Sequence, residues 1–238
     1  PGRRPYKSTM IKSGIDQDAV TSMFSQATAK QGEALRKAVG DATLKALQGR
    51  ELSMENIRKV LKSVTEASSA GAAMNPAGKV DIEAMLSKAF AGMDAALLQA
   101  VQANRKALEQ FASQGVDMQS KQMQSALSNV EKMEDVLFAT VSKAVKDASG
   151  PMQGPWDQVL SAMKLSGTQT GSQAQVAIEQ LMAQSRDAMR SSRASSVKAA
   201  QAMLDSYSAL VSGVLIGMSE GLSQGGSGSA GEGRARKK

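Results

Sequence analysis

The chain has 238 residues, 42% of them hydrophobic but only 3% aromatic, with no cysteine, no histidine and a net charge of +7. These figures exclude disulfides, thiolate nucleophiles, Cys/His metal sites and the usual general base. Much of the apolar fraction is alanine, which buries little area, so the helices it suggests need a partner to be stable.

Residues 1–15 carry Arg3, Arg4 and Lys7 and form a basic N-terminal tail. Apolar periodicity predicts one helix from Asp16 to Gln48 and a second from Met54 to Ala73, an N-terminal helical pair over 16–74. Asn75-Pro76-Ala77-Gly78 breaks the chain, and residues 75–80 read as a linker between helices. The segment from Gly71 to Val80 superficially resembles a phosphate-binding loop, but it has six residues between its glycines and Val80 where a hydroxyl should hold magnesium. A long-helix region then covers 81–223. Its first member runs from Asp81 to Ser149, and the weak turn signal around Gly115 favours continuity, although an interior glycine costs about 1 kcal/mol. Pro151 and Pro155 precede a short helix from Trp156 to Lys164, and the single Trp is expected to bury its ring against the long helix. The last helix extends from Gln173 to Ser223, and residues 224–238 are a Gly/Ser tail expected to be disordered.

The spacing within these helices is the informative feature. Val20, Phe24, Ala27, Leu35, Ala38, Ala42 and Ala46 follow repeated steps of four, three and four, interrupted only by Gln31. Leu86, Phe90, Met93, Leu97, Val101 and Leu108 repeat the rhythm around Asn104, and Ala126, Val130, Met133, Leu137, Val141, Ala144 and Ala148 repeat it again. An eleven-residue period gives a nearly straight apolar stripe rather than one that winds into a left-handed supercoil. The fold expected is therefore all-α, an elongated helical bundle or coiled-coil hairpin of long amphipathic helices with disordered termini. Phe24, Leu35, Leu86, Phe90, Met93, Leu97, Val101, Leu108, Val130, Met133, Leu137 and Val141 form the candidate face for binding another helix or an apolar surface. Fifteen methionines supply adaptable apolar contacts of the same kind.

The segment from Tyr207 to Met218 is the most apolar part of the last predicted helix. With Gly221 it carries Gly213 and Gly217 at steps of four, a ridge suited to close helix packing inside the bundle or at a subunit contact. Arg186, Arg190, Arg193, Arg234, Arg236, Lys237 and Lys238 are the candidate anion contacts, toward nucleic acid or lipid headgroups. Glu131, Glu134 and Asp135 read as a solvated acidic face rather than a metal site. No 18-residue apolar run and no signal-peptide core are present, so neither a spanning helix nor export is expected. Serines are abundant, but no histidine and no nucleophile elbow exist to activate one, so no enzyme activity and no cofactor are expected.

Segments such as Ala100-Val-Gln-Ala-Asn-Arg-Lys-Ala-Leu-Glu-Gln-Phe-Ala-Ser-Gln114 and Ala174-Gln-Val-Ala-Ile-Glu-Gln-Leu-Met-Ala183 resemble the phasins, proteins that coat polyhydroxyalkanoate granules in bacteria. The resemblance is one of composition and pattern over residues 81–223. It implies a cytoplasmic homo-oligomer whose amphipathic faces adsorb on a hydrophobic polymer or lipid surface. The basic tail looks like those of phasin relatives that contact the nucleoid, without their longer Lys/Pro/Ala repeat. A structural scaffold or filament, and a membrane-associated helical protein, are the alternative functions.

Overall fold

Asp16 opens the first helix by accepting a hydrogen bond from the Ala19 N–H at 3.1 Å, satisfying one of the donors that every helix start leaves over. In a computed structural model, which describes residues 14–49, 51–148, 150–188, 202 and 204–225, the chain is all-α. Its helices are α1 (Gln17–Gln26), α2 (Gly32–Gln48), α3 (Met54–Met74), α4 (Lys79–Ser113), α5 (Lys121–Glu131), α6 (Met133–Ala148), α7 (Gln153–Ser166), α8 (Gln169–Ala188) and α9 (Tyr207–Gly225). Among the described residues there is no strand.

The first predicted helix is two. The backbone turns extended at Ala27 and Thr28, a short 3-10 turn follows over Ala29–Gln31, and the Gln31 side chain accepts from the Thr28 N–H at 3.0 Å. Gln31, the one residue that broke the apolar rhythm, is thus the cap of the break. Past it the buried positions of α2 are Leu35, Val39, Thr43, Ala46 and Leu47, while Ala38 and Ala42 are only half-buried. The predicted stripe is therefore one residue out of phase there, because the interruption resets the helix and the larger Val39 takes the inward place.

The second correction concerns the long helix. α4 ends at Ser113, and Gly115 adopts a positive φ of 78°, a conformation glycine enters without Cβ strain. Residues 114–120 then turn the chain into α5. α5 and α6 meet at Lys132, across which the i to i−4 bonds continue, with Lys132 N–H donating to Ser128 O at 3.0 Å and Val136 N–H to Lys132 O at 2.9 Å. The last predicted helix also changes at its start. Gly167, at φ 76°, caps α7 by donating its N–H to Met163 O, and α8 begins at Gln169 rather than Gln173. Residues 189–201 and 203, in the middle of that predicted helix, lie outside the described residues.

α4 occupies the centre. It packs along α2 and α8, and is touched as well by α9, α7 and α3. That explains why residues on nearly all its sides are buried, from Ile82 and Met85 through Ala96 and Ala103 to Phe111 and Ala112. A helix surrounded in this way is apolar all round rather than along one stripe. α1 and α3 run in the same direction: Gln17 donates to Ser63 O, Thr21 to Ala67 O, and the Asn75 amide to both Phe24 O and Ala27 O at 2.8 and 2.9 Å. Asn75 thereby ties the α3–α4 loop to the break after α1. Three buried hydroxyls are paired by their own helices, Thr43 with Val39 O, Thr65 with Leu61 O and Ser69 with Thr65 O, whereas the buried Ser68 hydroxyl meets no partner among the described residues.

Candidate interaction surface

All twelve residues of the predicted stripe are buried, none more than 3% exposed. They meet one another inside a single chain. Phe90 packs its ring 5.2 Å from that of Phe138, and Phe24, Leu35 and Met93 belong to the same continuous core as Leu137 and Val141. The stripe therefore finds its partner in sister helices of this molecule, and one copy suffices to cover it.

The glycine row lies elsewhere than expected. α9 turns Val211 and Leu215 inward, so that Gly213, Gly217 and Gly221 face outward, where an added Cβ would meet no atom within 4 Å. Among the described residues they form no packing ridge. Close helix approach occurs instead at glycines the periodicity passed over. A Cβ on Gly92 would stand 2.6 Å from Arg36 O and 3.0 Å from Gly40 N, and one on Gly71 would strike Thr21 O and Phe24 Cβ. The helix pairs α2/α4 and α1/α3 are drawn together at these points, and single glycines inside amphipathic helices are the signal that could have found them.

Polar contacts fasten α8. Asp94 of α4, 8% exposed, accepts from the backbone N–H groups of Gln169 at 2.9 Å and Thr170 at 3.0 Å, and its own carbonyl accepts from the Thr170 hydroxyl at 3.0 Å. Glu134 of α6 accepts from the Thr168 hydroxyl at 2.8 Å, while the Thr168 oxygen accepts from Gly171 N–H. Glu134 is thus not part of a merely solvated acidic face: it and Asp94 cap, from two other helices, a helix start that needs acceptors. Farther along, Arg105 donates to Gln180 at 3.3 Å, so α8 runs parallel to α4. Trp156 is fully buried and its indole N–H donates to Ser69 Oγ at 2.8 Å, which adds an anchor on α3.

Of the predicted anion contacts, Arg186 is exposed on the last turn of α8. Arg190, Arg193, Arg234, Arg236, Lys237 and Lys238 lie outside the described residues, as do Arg3, Arg4 and Lys7. At the surface, Glu33 is bridged by Lys88 at 2.6 Å and Arg36 at 3.0 Å, hydrogen bonds that hold its carboxyl below the usual range, the Lys88 bond most of all. A groove of about 640 Å³ lies between α2 and α4. Gly40, Ala95 and Ala96 deepen it, Glu33, Arg36, Lys37 and Asp41 rim it, and Ser219 of α9 borders it. Among the described residues no three carboxylates converge as a metal site would require.

A family model matches residues 10–224, nearly the whole chain. The chain belongs to DUF6781, a family of unknown function. No curated protein and no solved structure matches it. Among the described residues the apolar stripe is sealed within one bundle, whereas α9 leaves part of its surface open. α9 is the most apolar of the described helices. Ile216 on it is 39% exposed, and Glu220 is its single charged residue. No helix among the described residues is long and apolar enough to cross a membrane.

Proposed function

We propose that this protein is a non-enzymatic coat of an apolar surface, a polyhydroxyalkanoate granule in the cytoplasm, on which it also self-associates. The observation that carries this reading is the placement of α9. On a helix of about 28 Å, at 1.5 Å per residue, Ile216 and the open glycine row face outward, while Val211 and Leu215 hold the helix to the bundle. A helix of that kind lies flat in an interface instead of spanning it, gaining roughly 25 cal/mol per Å² of apolar area taken from water. Adsorption then proceeds by exchange: helices give up contact with their own bundle for contact with polymer, and no covalent chemistry is involved. The Ala-rich seams favour the exchange, because small side chains hold the closed bundle with modest area.

The test is sedimentation of the purified chain with polyhydroxyalkanoate granules or polystyrene beads at about 0.1 M and 1 M salt. Binding that survives the higher salt is expected. Binding lost at moderate salt would instead assign the contact to basic residues and phosphates, which release counterions. A second reading, a self-associating scaffold, is favoured by the open row Gly213, Gly217 and Gly221, which lets two helices approach closely. Sedimentation velocity across a hundredfold concentration range tests it, and a monomer throughout would remove it.

A further inference from the structure

We propose that α8 is a releasable strap, fastened to the bundle by a carboxylate clasp at its N-terminus more than by apolar area, and that its release uncovers the α4 face bearing Leu97, Val101 and Leu108. The function of the uncovered face rests on the surface reading above.

The two longest seams of α4, with α2 and with α8, differ in what fills them. Toward α2 the seam is made of Leu35, Val39, Ala46 and Leu47, with Gly40 and Gly92 in near backbone contact. Lifting α2 would expose large side chains and open a space that nothing refills. From α8 only Ala174, Ala177 and Leu181 are fully buried apolar residues, Ile178 and Met182 are partly buried against the core, and the other buried positions, Thr168, Thr170 and Ser185, are polar. What holds α8 in place is the Asp94 and Glu134 clasp, with the Arg105 to Gln180 bond farther along. Hydrogen bonds of this sort exchange for water at small net loss, whereas apolar area does not. Of the two seams, the one with α8 is the one a local opening uses.

The geometry beneath the strap fits this role. Asp94, Leu97, Val101, Arg105 and Leu108 follow steps of three and four along α4 and share one face. Asp94 and Arg105, which contact α8, bracket Leu97 and Val101 on that face. When α8 lifts, an apolar surface takes its place over leucine and valine, and it binds the open form better than the closed one. That difference in affinity is what shifts the population. α8 itself presents Ala174, Ala177, Ile178, Leu181 and Met182 to the same surface.

A chain without cysteine allows a direct test. The double variant Arg105→Cys and Gln180→Cys places two thiols at a half-buried and an exposed position whose native side chains meet at 3.3 Å, and a flexible, cleavable bis-maleimide joins α4 to α8. The linked protein should adsorb on polystyrene beads at least tenfold less than the same variant capped with N-ethylmaleimide, and cleavage of the linker should restore binding. In solution, hydrogen exchange of α8 amides should run at least tenfold faster than that of α2 amides, and linking should abolish the difference. Asp94→Asn, which removes one acceptor of the clasp, should speed both adsorption and exchange several-fold. Beads that take up linked and capped protein equally well, or α8 amides that exchange no faster than those of α2, would overturn the strap. A native chain that exchanges α8 fast yet ignores beads would uphold the strap and remove the surface reading.

Discussion

The phenol of Tyr207 on α9 donates a 2.9 Å hydrogen bond to the side-chain carbonyl of Asn104 on α4, and the Asn104 amide donates at 2.8 Å to Ala100 O. Asn104 is 6% exposed, and it is the polar residue that interrupts the apolar rhythm of α4. Its two ends are occupied, and the Tyr207 ring also lies 6.2 Å from that of Phe111. Tyr207→Phe should keep the ring contact but leave the buried Asn104 oxygen without its partner, lowering stability by about 1–3 kcal/mol. Urea denaturation measures this. The double variant with Asn104→Leu should recover most of the loss, since it removes both polar groups together.

Burial pushes the Tyr207 hydroxyl well above the ordinary phenol value of about 10. The sign follows. Below pH 10 the phenol is protonated in folded and unfolded chains alike, and its contribution to stability is fully present. Above that pH the unfolded chain ionises first, so stability falls as pH rises toward the folded value. Thermal unfolding at pH 8 to 11 should therefore show an alkaline decline that Tyr207→Phe flattens. An unchanged slope in the variant would assign the decline to other groups.

The glycines should divide into two classes. Gly71→Ala places a Cβ against the Thr21 carbonyl and Phe24 Cβ, and Gly92→Ala places one 2.6 Å from Arg36 O. Neither neighbour can move without shifting a helix, so each should cost about 1–3 kcal/mol. Gly217→Ala meets open space in a helix and should stabilise the isolated chain by roughly 0.5–1 kcal/mol. A set of melting curves separates the classes.

Trp156→Phe should lower stability by about 1–2 kcal/mol, because the Ser69 hydroxyl loses the indole donor while most of the ring volume remains. The same residue is a natural reporter. As the single Trp of the chain and fully buried, it should emit at short wavelength when folded and shift red in one step with denaturant. A folded state that emits like exposed indole would contradict the packing of α7.

The all-α class and the twelve stripe residues were legible because apolar side chains at helical spacing carry their own evidence of burial. The breaks were not, since Gln31 and Gly115 act through backbone conformations that a side-chain pattern does not register. Gln31 and Asn104 look like defects of the rhythm, yet each makes a specific hydrogen bond that needs the fold to be visible. The same holds for Glu134. It reads as one of several surface acids, and only the arrival of α8 from elsewhere in the chain gives it Thr168 to bind. Gly213, Gly217 and Gly221 matched a known packing pattern, but α9 offers a different side to α4. The direction a helix faces depends on which stripe buries more, and Val211 and Leu215 outweigh three glycines.

The shared direction of α1 and α3 has a kinetic cost. Their paired residues lie 46 positions apart, at Gln17 with Ser63 and Thr21 with Ala67. Neighbouring helices that fold back on each other zip from their turn, but this pair cannot. Its assembly waits until the intervening loop has closed, a step whose entropy must be met before any contact rewards it. Refolding should therefore be slower than in an up-and-down bundle of equal length. On the ribosome, the first helix must stay uncovered until synthesis has passed Asn75.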